Sequence, residues 1–337
     1  FGNRKQAGED VAALQADLAR LRAAADRAGV AIGRLILSPA CYLKSYQPDA
    51  AWPEAPPLER VYAEARGAFP GVKVGGGMLS YFTELNRKRP PAEALDFIGH
   101  SLCPLVHAAD DISLTEGLEA LPTLIASTRA FAGGKPYWLY PTAISMRSNP
   151  YGAAPAANPG NIRTAMSIAD PRQRGLIGAA WYAGLVAHAA RGGLEAVTMG
   201  AAAGPSGLAY APLASPQPWF DETGEGVFPS FHVFRELASA AGQMQVETRS
   251  SRPREVQALA VRTHDGLRLW VVNLTGETRE VSIVGAAGHQ RRAAFFDRAV
   301  FGKGVSVQPD DRALASGGSM EPISLEPYVF VRIDVQP

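Results

Sequence analysis

The chain of 337 residues has little cysteine and almost no net charge. Two cysteines, Cys41 and Cys103, are too few for a disulfide scaffold or a structural zinc site. We therefore expect both to be small apolar residues in the core. The 33 basic and 32 acidic residues give a formal charge of +1, which provides no general attraction for nucleic acid or an anionic membrane. We therefore expect neither as a partner.

Long apolar runs and leader signals are also missing. The sequence contains no run of about eighteen apolar residues, the length that a membrane-spanning helix needs. It begins "FGNRKQAGED", without an initiator Met or the apolar core of a signal peptide. The sequence thus predicts a cytoplasmic protein, on a chain that starts inside a longer gene product.

Strand and helix patterns alternate over most of the chain. An amphipathic helix is predicted at 9–28. Five apolar runs follow, in which apolar and polar residues do not alternate, as is typical of buried parallel strands. Behind the second run a helix is expected at "PPAEALDF", which leaves "SYFTELNR" as the segment just past the strand. The five runs are "RLILSPACYL", "VKVGGGML", "FIGHSLCPLV", "KPYWLYPTAI" and "LEAVTMGA".

Five parallel units do not close a (β/α)8 barrel, which takes about 250 residues. Either they form an open five-stranded α/β sheet, or three N-terminal units of a TIM barrel are missing from this chain. We prefer the second, because a barrel followed by a β-sandwich is a familiar enzyme architecture. Residues 1–250 are therefore predicted to be the C-terminal, catalytic part of a (β/α)8 barrel, with its later strands present.

Residues 251–337 have a different pattern. Apolar and polar residues alternate around "HDG" and "TGE", which is typical of antiparallel hairpins with one solvated face. The segment "ISLEPYVFVRIDV" closes the chain in the same way. This part is predicted to be an all-β, antiparallel sandwich without an activity of its own.

Polar residues past the second strand are the first candidates for chemistry, because ligands of such folds lie at the carboxyl ends of the strands. Glu84, buried against Tyr81, could serve as proton donor or base, or could form a salt bridge to Arg87 or Arg89. Asn86 and Arg87 could bind hydroxyls or a carbonyl of a ligand, although Arg87 could equally tie its loop down.

The third strand leads into "HSLCPLVHAADD". His100 lies inside the strand and is either a ligand contact or a hydrogen-bonded core group. His107 lies near Asp110 and Asp111 and could act as a base or bind metal, but the spacing matches no strong metal signature. Either aspartate also suits a helix cap. We expect no metal and no cofactor.

The fourth strand end offers Tyr140, Arg147 and Asn149 as donors for sugar hydroxyls or an oxyanion, and the fifth, "VTMGAAAGPSG", offers no acid. A glycosidase needs two carboxylates across the scissile bond. Lactone hydrolysis asks for one base and a few oxyanion donors. A serine hydrolase is disfavoured, since no G-x-S-x-G motif occurs.

These stretches together resemble the D-apionate lactonase family, whose barrel is related to clan-A glycoside hydrolases and is flanked by β-domains. The resemblance rests on "GGGMLSYFTELNRKRP", "CPLVHAADDISLTEGLEAL", "YPTAISMRSNPYG" and "ADPRQRGLIGAAWYAGLV", in order within about residues 30–245. It implies a hydrolase of a branched pentonolactone. The positions that match the family's pattern are Glu84, Asn86, Arg87, His107, Asp110, Arg147 and Asn149.

One departure lies in the last strand, where the resemblance implies an aromatic pair and a glutamate, and this chain has Met199, Gly200 and Ala201. We predict a hydrolase of a sugar lactone with Glu84, His107 and Arg147 as catalytic residues. A glycoside hydrolase with Glu84 as general acid and a non-catalytic carbohydrate-binding barrel are the alternatives. The predicted substrate-binding residues are Tyr81, Asn86, Arg87, His100, Asp110, Tyr140 and Asn149.

Overall fold

A computed structural model describes residues 11–285, 290–300, 311–314 and 322–336. Helices and strands alternate in the first part of the chain, and strands dominate the last. The helices are α1 (Val11–Ala28), α2 (Leu58–Ala68), α3 (Phe82–Lys88), α4 (Asp111–Glu116), α5 (Leu121–Arg129), α6 (Leu176–Arg191), α7 (Phe220–Thr223) and α8 (Pro229–Ala238). The strands are β1 (Arg34–Leu37), β2 (Lys73–Met78), β3 (Phe97–Leu102), β4 (Tyr137–Thr142), β5 (Ala196–Met199), β6 (Gln245–Val246), β7 (Val256–Thr263), β8 (Gly266–Asn273), β9 (Arg279–Val281), β10 (Gln290–Phe296), β11 (Asp311–Leu314), β12 (Ile323–Leu325) and β13 (Phe330–Gln336).

The first five strands form one parallel sheet in the order β1-β2-β3-β4-β5. Each strand pairs with the one that precedes it in sequence, and helices connect them, which is the arrangement of successive units in a (β/α)8 barrel. In the described part of the chain β1 and β5 lie at opposite edges of the sheet, so the barrel is partly open. The predicted parallel strands are confirmed.

Aromatic rings pack together on one face of the parallel sheet. Phe97 of β3 stacks on Trp138 of β4 with ring centroids 4.4 Å apart, and Tyr140 packs edge-on against both. A Cβ at Gly75 of β2 would lie 2.2 Å from the Phe97 ring, so this position requires glycine. A Cβ at Gly76 would instead meet Tyr62 of α2, so the two glycines allow close packing against different neighbours.

One helix lies earlier in the chain than predicted. Helix α3 begins at Phe82, close behind β2, and "PPAEALDF" holds only a short 3₁₀ helix, Ala92–Ala94, before β3 starts. The predicted helix in that segment is wrong. A capping box formed by Tyr81 and Glu84 starts α3 instead, whereas the double proline that follows lacks the backbone N–H groups that a helix interior needs.

The C-terminal strands form a six-stranded antiparallel sheet, ordered β11-β10-β13-β8-β7-β6, and a two-stranded sheet of β12 and β9. Strands β7 and β8 make a hairpin in which Thr263 pairs with Gly266, as predicted at "HDG". The hairpin predicted around "TGE" is wrong, because β9 pairs with β12 and the neighbours of β8 are β7 and β13.

The centre of the six-stranded sheet is buried on both faces. Trp270 and Val272 of β8 belong to the same core as Trp181 and Leu185 of α6, whereas Val271 between them packs into the sandwich. The solvated face that the alternating pattern predicts is therefore wrong for this strand, since α6 of the barrel covers it. The two domains consequently share one hydrophobic core.

Candidate active site

Glu84 lies at the start of α3, just beyond the carboxyl end of β2. The residue is 2% exposed, and its Oε2 accepts the backbone N–H of Tyr81 at 3.0 Å, which completes the capping box. Its Oε1 is buried and has no hydrogen-bond partner among the described residues. One carboxylate oxygen thus holds the start of the helix, and the other has no hydrogen-bond partner among the described residues.

Two arginines at the end of α3, Arg87 and its C-cap residue Arg89, are directed to other partners. Arg87 donates to Ser45 Oγ at 2.8 Å and to the carbonyl of Tyr46 at 3.4 Å, which ties α3 to the segment after β1. Arg89 donates to Asn86 Oδ1 at 2.8 Å. The described contacts therefore contain neither of the salt bridges expected for Glu84, and Arg87 does tie its segment down.

Two tyrosines lie close to Glu84. The Tyr81 hydroxyl donates to the carbonyl of Ser148 at 3.3 Å, and burial raises the pKa of Tyr81 well above its usual range. Tyr151 is 50% exposed. Burial raises the pKa of Tyr151, the negative charge of Glu84 raises it further, and the positive charge of Arg87 lowers it. The Tyr81 hydroxyl therefore reaches the segment after β4, and Tyr151 on that segment lies near enough to Glu84 to feel its charge.

His100 and Tyr140 lie within the parallel sheet. His100 is fully buried, with Nδ1 2.7 Å from the carbonyl of Ser101 and Nε2 2.5 Å from the Tyr137 hydroxyl. Burial lowers the pKa of His100 to about 4, so the ring is neutral at neutral pH. Tyr140 is buried and donates to the carbonyl of Gly76 at 2.7 Å. The polar atoms of both side chains bond to the protein.

The segment after β3 presents His107 and Asp110 at the surface. Asp110 is the N-cap of α4: Oδ1 accepts the backbone N–H of Ser113 at 2.8 Å, and Oδ2 accepts the Ser113 hydroxyl at 2.7 Å. These hydrogen bonds lower the pKa of Asp110. Asp110 therefore has the second role considered for it, that of a helix cap.

Arg147 and Asn149 follow β4, and their exposure differs. The Arg147 side chain is exposed, whereas Asn149 is 9% exposed. The Oδ1 atom of Asn149 accepts the backbone N–H groups of Tyr151 at 2.9 Å and Gly152 at 3.0 Å, and its Nδ2 donates to the carbonyl of Ala154 at 3.0 Å. Asn149 therefore organises a turn, and the Arg147 guanidinium faces solvent.

A buried ion pair after β4 was not predicted from the sequence. The Nη2 atom of Arg172 lies 2.7 Å from Asp170 Oδ2, with both side chains at most 1% exposed. Arg172 also donates to the carbonyl of Ala109 at 2.7 Å and pairs with Asp111 at 3.2 Å. This network joins the segments that follow β3 and β4. An acid two residues before an arginine is too common a pattern to reveal it.

A second unpredicted contact fastens the segment after β4 to the segment after β1. The Lys44 ammonium donates to the carbonyls of Asn149 at 2.9 Å and Ala153 at 3.5 Å, and also to that of Gly152. The Ser45 backbone N–H donates to the carbonyl of Pro150 at 3.0 Å. A single lysine in a loop carries no local signal of such a role.

The segment after β5 carries no carboxylate at its start. Gly200 has φ of 59°, and a Cβ there would lie 2.7 Å from the carbonyl oxygen of Ser206, so the chain needs glycine at this turn. The backbone of Ala201 forms a bridge with Gly207. In the described ranges no three His, Cys, Asp or Glu side chains are grouped as a metal ion would require, and no helix has the length and apolar character to cross a membrane.

Comparison with known proteins identifies both domains. The family model of the D-apionate lactonase TIM barrel domain matches residues 6–242, and the model of its C-terminal immunoglobulin-like domain matches residues 253–333. A D-apionate lactonase of Brucella anthropi is 43% identical over 249 residues, which are 74% of this chain and 39% of that protein. The chain thus spans well under half the length of this curated relative.

Solved structures resemble the chain in fold. A GH30 endoxylanase from Clostridium papyrosolvens has a TM-score of 0.52 at 10% identity, over 97% of this chain and 72% of that chain. A 4-O-alpha-L-rhamnosyl-beta-D-glucuronidase from Fusarium oxysporum has a TM-score of 0.56 at 12% identity, over 95% of this chain and 74% of that chain. The predicted TIM barrel followed by a β-sandwich is confirmed.

Proposed function

Because the chain belongs to the D-apionate lactonase family, we propose that it forms the catalytic part of a sugar-lactone hydrolase. The observation that carries the proposal is the Glu84 carboxylate at the carboxyl end of β2, with one oxygen held by the fold and the other unengaged. The proposed substrate class is the lactone of a branched pentonic acid, after the name of the Brucella relative.

In the proposed reaction Glu84 acts as general base. Its Oε1 accepts a proton from a water molecule, whose oxygen attacks the lactone carbonyl carbon. Arg147 and His107, both exposed on neighbouring segments, donate hydrogen bonds to the oxyanion that forms. The ring C–O bond then breaks, and the proton held by Glu84 passes to the released alkoxide, which leaves a hydroxy acid.

The other predicted residues divide by their exposure, since His100, Tyr140 and Asn149 are buried and the rest are not. We propose that Tyr81, Asn86, Arg87 and Asp110 bind substrate hydroxyls in addition to the hydrogen bonds that they make within the protein. Their half-buried or exposed side chains are compatible with that role. His100, Tyr140 and Asn149 use their polar atoms within the protein, so we propose that they support the walls of the site.

The described carboxylates favour the lactonase over a glycosidase. Asp110 caps α4, and Asp111 and Asp170 pair with Arg172, so the carboxylates after β3 and β4 already have structural partners. A glycosidase needs a second carboxylate opposite the first. Lactone hydrolysis needs only the base and the oxyanion donors, which Glu84, Arg147 and His107 can supply.

The test is hydrolysis of a panel of pentonolactones, hexonolactones and aryl glycosides by the full-length gene product. Glu84→Gln is the informative variant, because glutamine also suits this position of a capping box, so the helix start is preserved while the base is lost. We expect lactone turnover, reduced by about a hundredfold or more in the variant, the usual scale of acid–base groups.

Glu59→Gln is the matched control, since Glu59 is an exposed glutamate in the first turn of α2. It should retain the activity of the unaltered protein. Turnover of glycosides alone would establish the glycosidase instead. Sugar binding without any turnover would mean that the barrel is a carbohydrate-binding protein and would overturn the proposal.

A further inference from the structure

The turn at residues 149–153 is anchored from several sides, although its tip is exposed. Inside the turn, Asn149 accepts the backbone N–H groups of Tyr151 and Gly152. From outside, Lys44 donates to three of its carbonyls, and the Ser45 N–H donates to a fourth. The anchoring indicates that the position of the turn matters.

The anchors of the turn connect directly to the helix that carries Glu84. Arg87 of α3 donates to Ser45, whose own backbone N–H holds the turn. The Tyr81 hydroxyl donates to the carbonyl of Ser148, immediately before the turn. The start of α3, the segment after β1 and the turn therefore form one hydrogen-bonded unit.

Tyr151 is the side chain that this unit presents. Its ring is 50% exposed, and its phenol experiences the charges of both Glu84 and Arg87. A tyrosine combines a flat apolar face, which can pack on the C–H face of a sugar, with a hydroxyl that can bind sugar oxygens. Burial and Glu84 raise the pKa of Tyr151, so the phenol keeps its proton and remains a donor at neutral pH.

We propose that Tyr151 contacts the substrate in the Glu84 site and that Lys44 is a positioning residue that holds Tyr151 there. This inference rests on the proposed function, since it takes a sugar lactone as the ligand. The ring covers the sugar while Glu84 activates water, and the hydroxyl donates to a substrate oxygen. Lys44 acts only through the turn and makes no contact with the ligand.

The kinetic test uses Tyr151→Phe, Tyr151→Ala and Lys44→Met in the full-length gene product. Losing one hydrogen bond should raise KM about two- to tenfold in Tyr151→Phe with little change in kcat. Tyr151→Ala loses the ring as well and should raise KM further. Lys44→Met should raise KM as Tyr151→Phe does. Lys135→Met, in the turn before β4, is the control and should leave KM unchanged.

A binding test separates this inference from the proposed function. The protein for this test is the Glu84→Gln variant with ¹³C-labelled tyrosine rings. D-apionate, which cannot be hydrolysed, is added as the ligand, and the chemical shift of the Tyr151 resonance is followed by NMR. A shift of this resonance that Lys44→Met abolishes supports the inference, even if the unaltered protein hydrolyses no lactone. An unmoved resonance, or values of KM within twofold of the unaltered protein in both Tyr151 variants, would overturn it.

Discussion

Glu84 divides its two carboxylate oxygens between the fold and the site. Oε2 closes the capping box of α3 on the Tyr81 N–H, and Oε1 is buried without a partner in the described part of the chain. A buried carboxylate oxygen without a hydrogen bond is costly for stability. This oxygen lies just beyond the carboxyl end of a parallel strand, where ligands of such folds bind, which is why Glu84 is the centre of the proposed site.

Two substitutions of Glu84 should separate these roles. Glu84→Gln can still accept the Tyr81 N–H, whereas Glu84→Ala leaves that donor unpaired at the start of α3. We expect Glu84→Ala to be less stable than Glu84→Gln by about 1 kcal/mol in urea denaturation, while both lose the base equally. Equal stability of the two variants would show that the cap contributes nothing.

His100 should make the protein sensitive to mild acid. Burial lowers its pKa to about 4, compared with 6.5 for an unperturbed histidine. Between these pH values the unfolded chain binds a proton that the native state does not, so stability is complete above about pH 6.5 and falls towards pH 4. At about 1.4 kcal/mol for each pH unit, the fall due to His100 is roughly 3 kcal/mol.

The measurement for His100 is the free energy of unfolding in urea between pH 4 and pH 7.5. His100→Gln should show a smaller fall over this range than the unaltered protein, whatever its stability at neutral pH. His188 and His232, whose pKa values burial also lowers to about 4, leave part of the dependence in place. An identical fall in the variant would mean that His100 does not titrate as its burial requires.

Arg172 couples two of the segments that follow the parallel strands. It pairs with Asp170 on its own segment and donates to Ala109 and Asp111 on the segment after β3. Removing one partner of a buried ion pair leaves an uncompensated charge. Helix α4, which starts at Asp111, and the 3₁₀ helix Pro171–Arg174 are therefore expected to depend on the same pair.

Arg172→Met should destabilise the protein by about 3–5 kcal/mol, because Asp170 would remain buried and unpaired. The double variant Asp170→Leu with Arg172→Met removes both charges and should recover much of that loss. Urea denaturation of the single and double variants measures the difference. A double variant no more stable than the single would show that the hydrogen bonds to Ala109 and Asp111, and not the charge pair, set the cost.

The barrel part and the sandwich are packed as one structural unit. A Cβ at Gly184 of α6 would lie 2.6 Å from Leu118 and 3.2 Å from Leu274, so the helix lies directly against both domains. Arg332 of β13 also pairs with Glu236 of α8 at 3.3 Å. Since one apolar core spans the junction, neither domain buries its surface without the other.

Trp270→Ala should therefore weaken both domains together. Trp270 is 2% exposed in the shared core, and truncating a buried tryptophan costs about 3–5 kcal/mol. We expect one cooperative transition in calorimetry, at a lower temperature than in the unaltered protein. Val284→Ala is the control, since Val284 is 86% exposed. Two separate transitions, with the barrel unaffected, would contradict the shared core.

Hydrophobic patterning alone identified the parallel strands, the HDG hairpin and the antiparallel character of the C-terminal strands. These features depend on residues a few positions apart, which a sequence displays directly. The same reasoning misplaced the helix after β2, because its capping box starts with Tyr81 in place of the usual serine or threonine. It likewise predicted a solvated face on β8, since the strand pattern cannot reveal that α6 covers it.

The candidate catalytic residues divide in the same way between what the sequence shows and what the tertiary structure decides. Placing Glu84 beyond the end of β2 required only the order of elements, but its two oxygens acquired different roles through contacts with Tyr81 and the packing around α3. Lys44 reaches Asn149 across 105 positions of sequence, and Arg172 reaches Ala109 across 63. Such contacts arise where parallel strands bring distant loops to one edge of a sheet, a proximity that no local pattern of residues encodes.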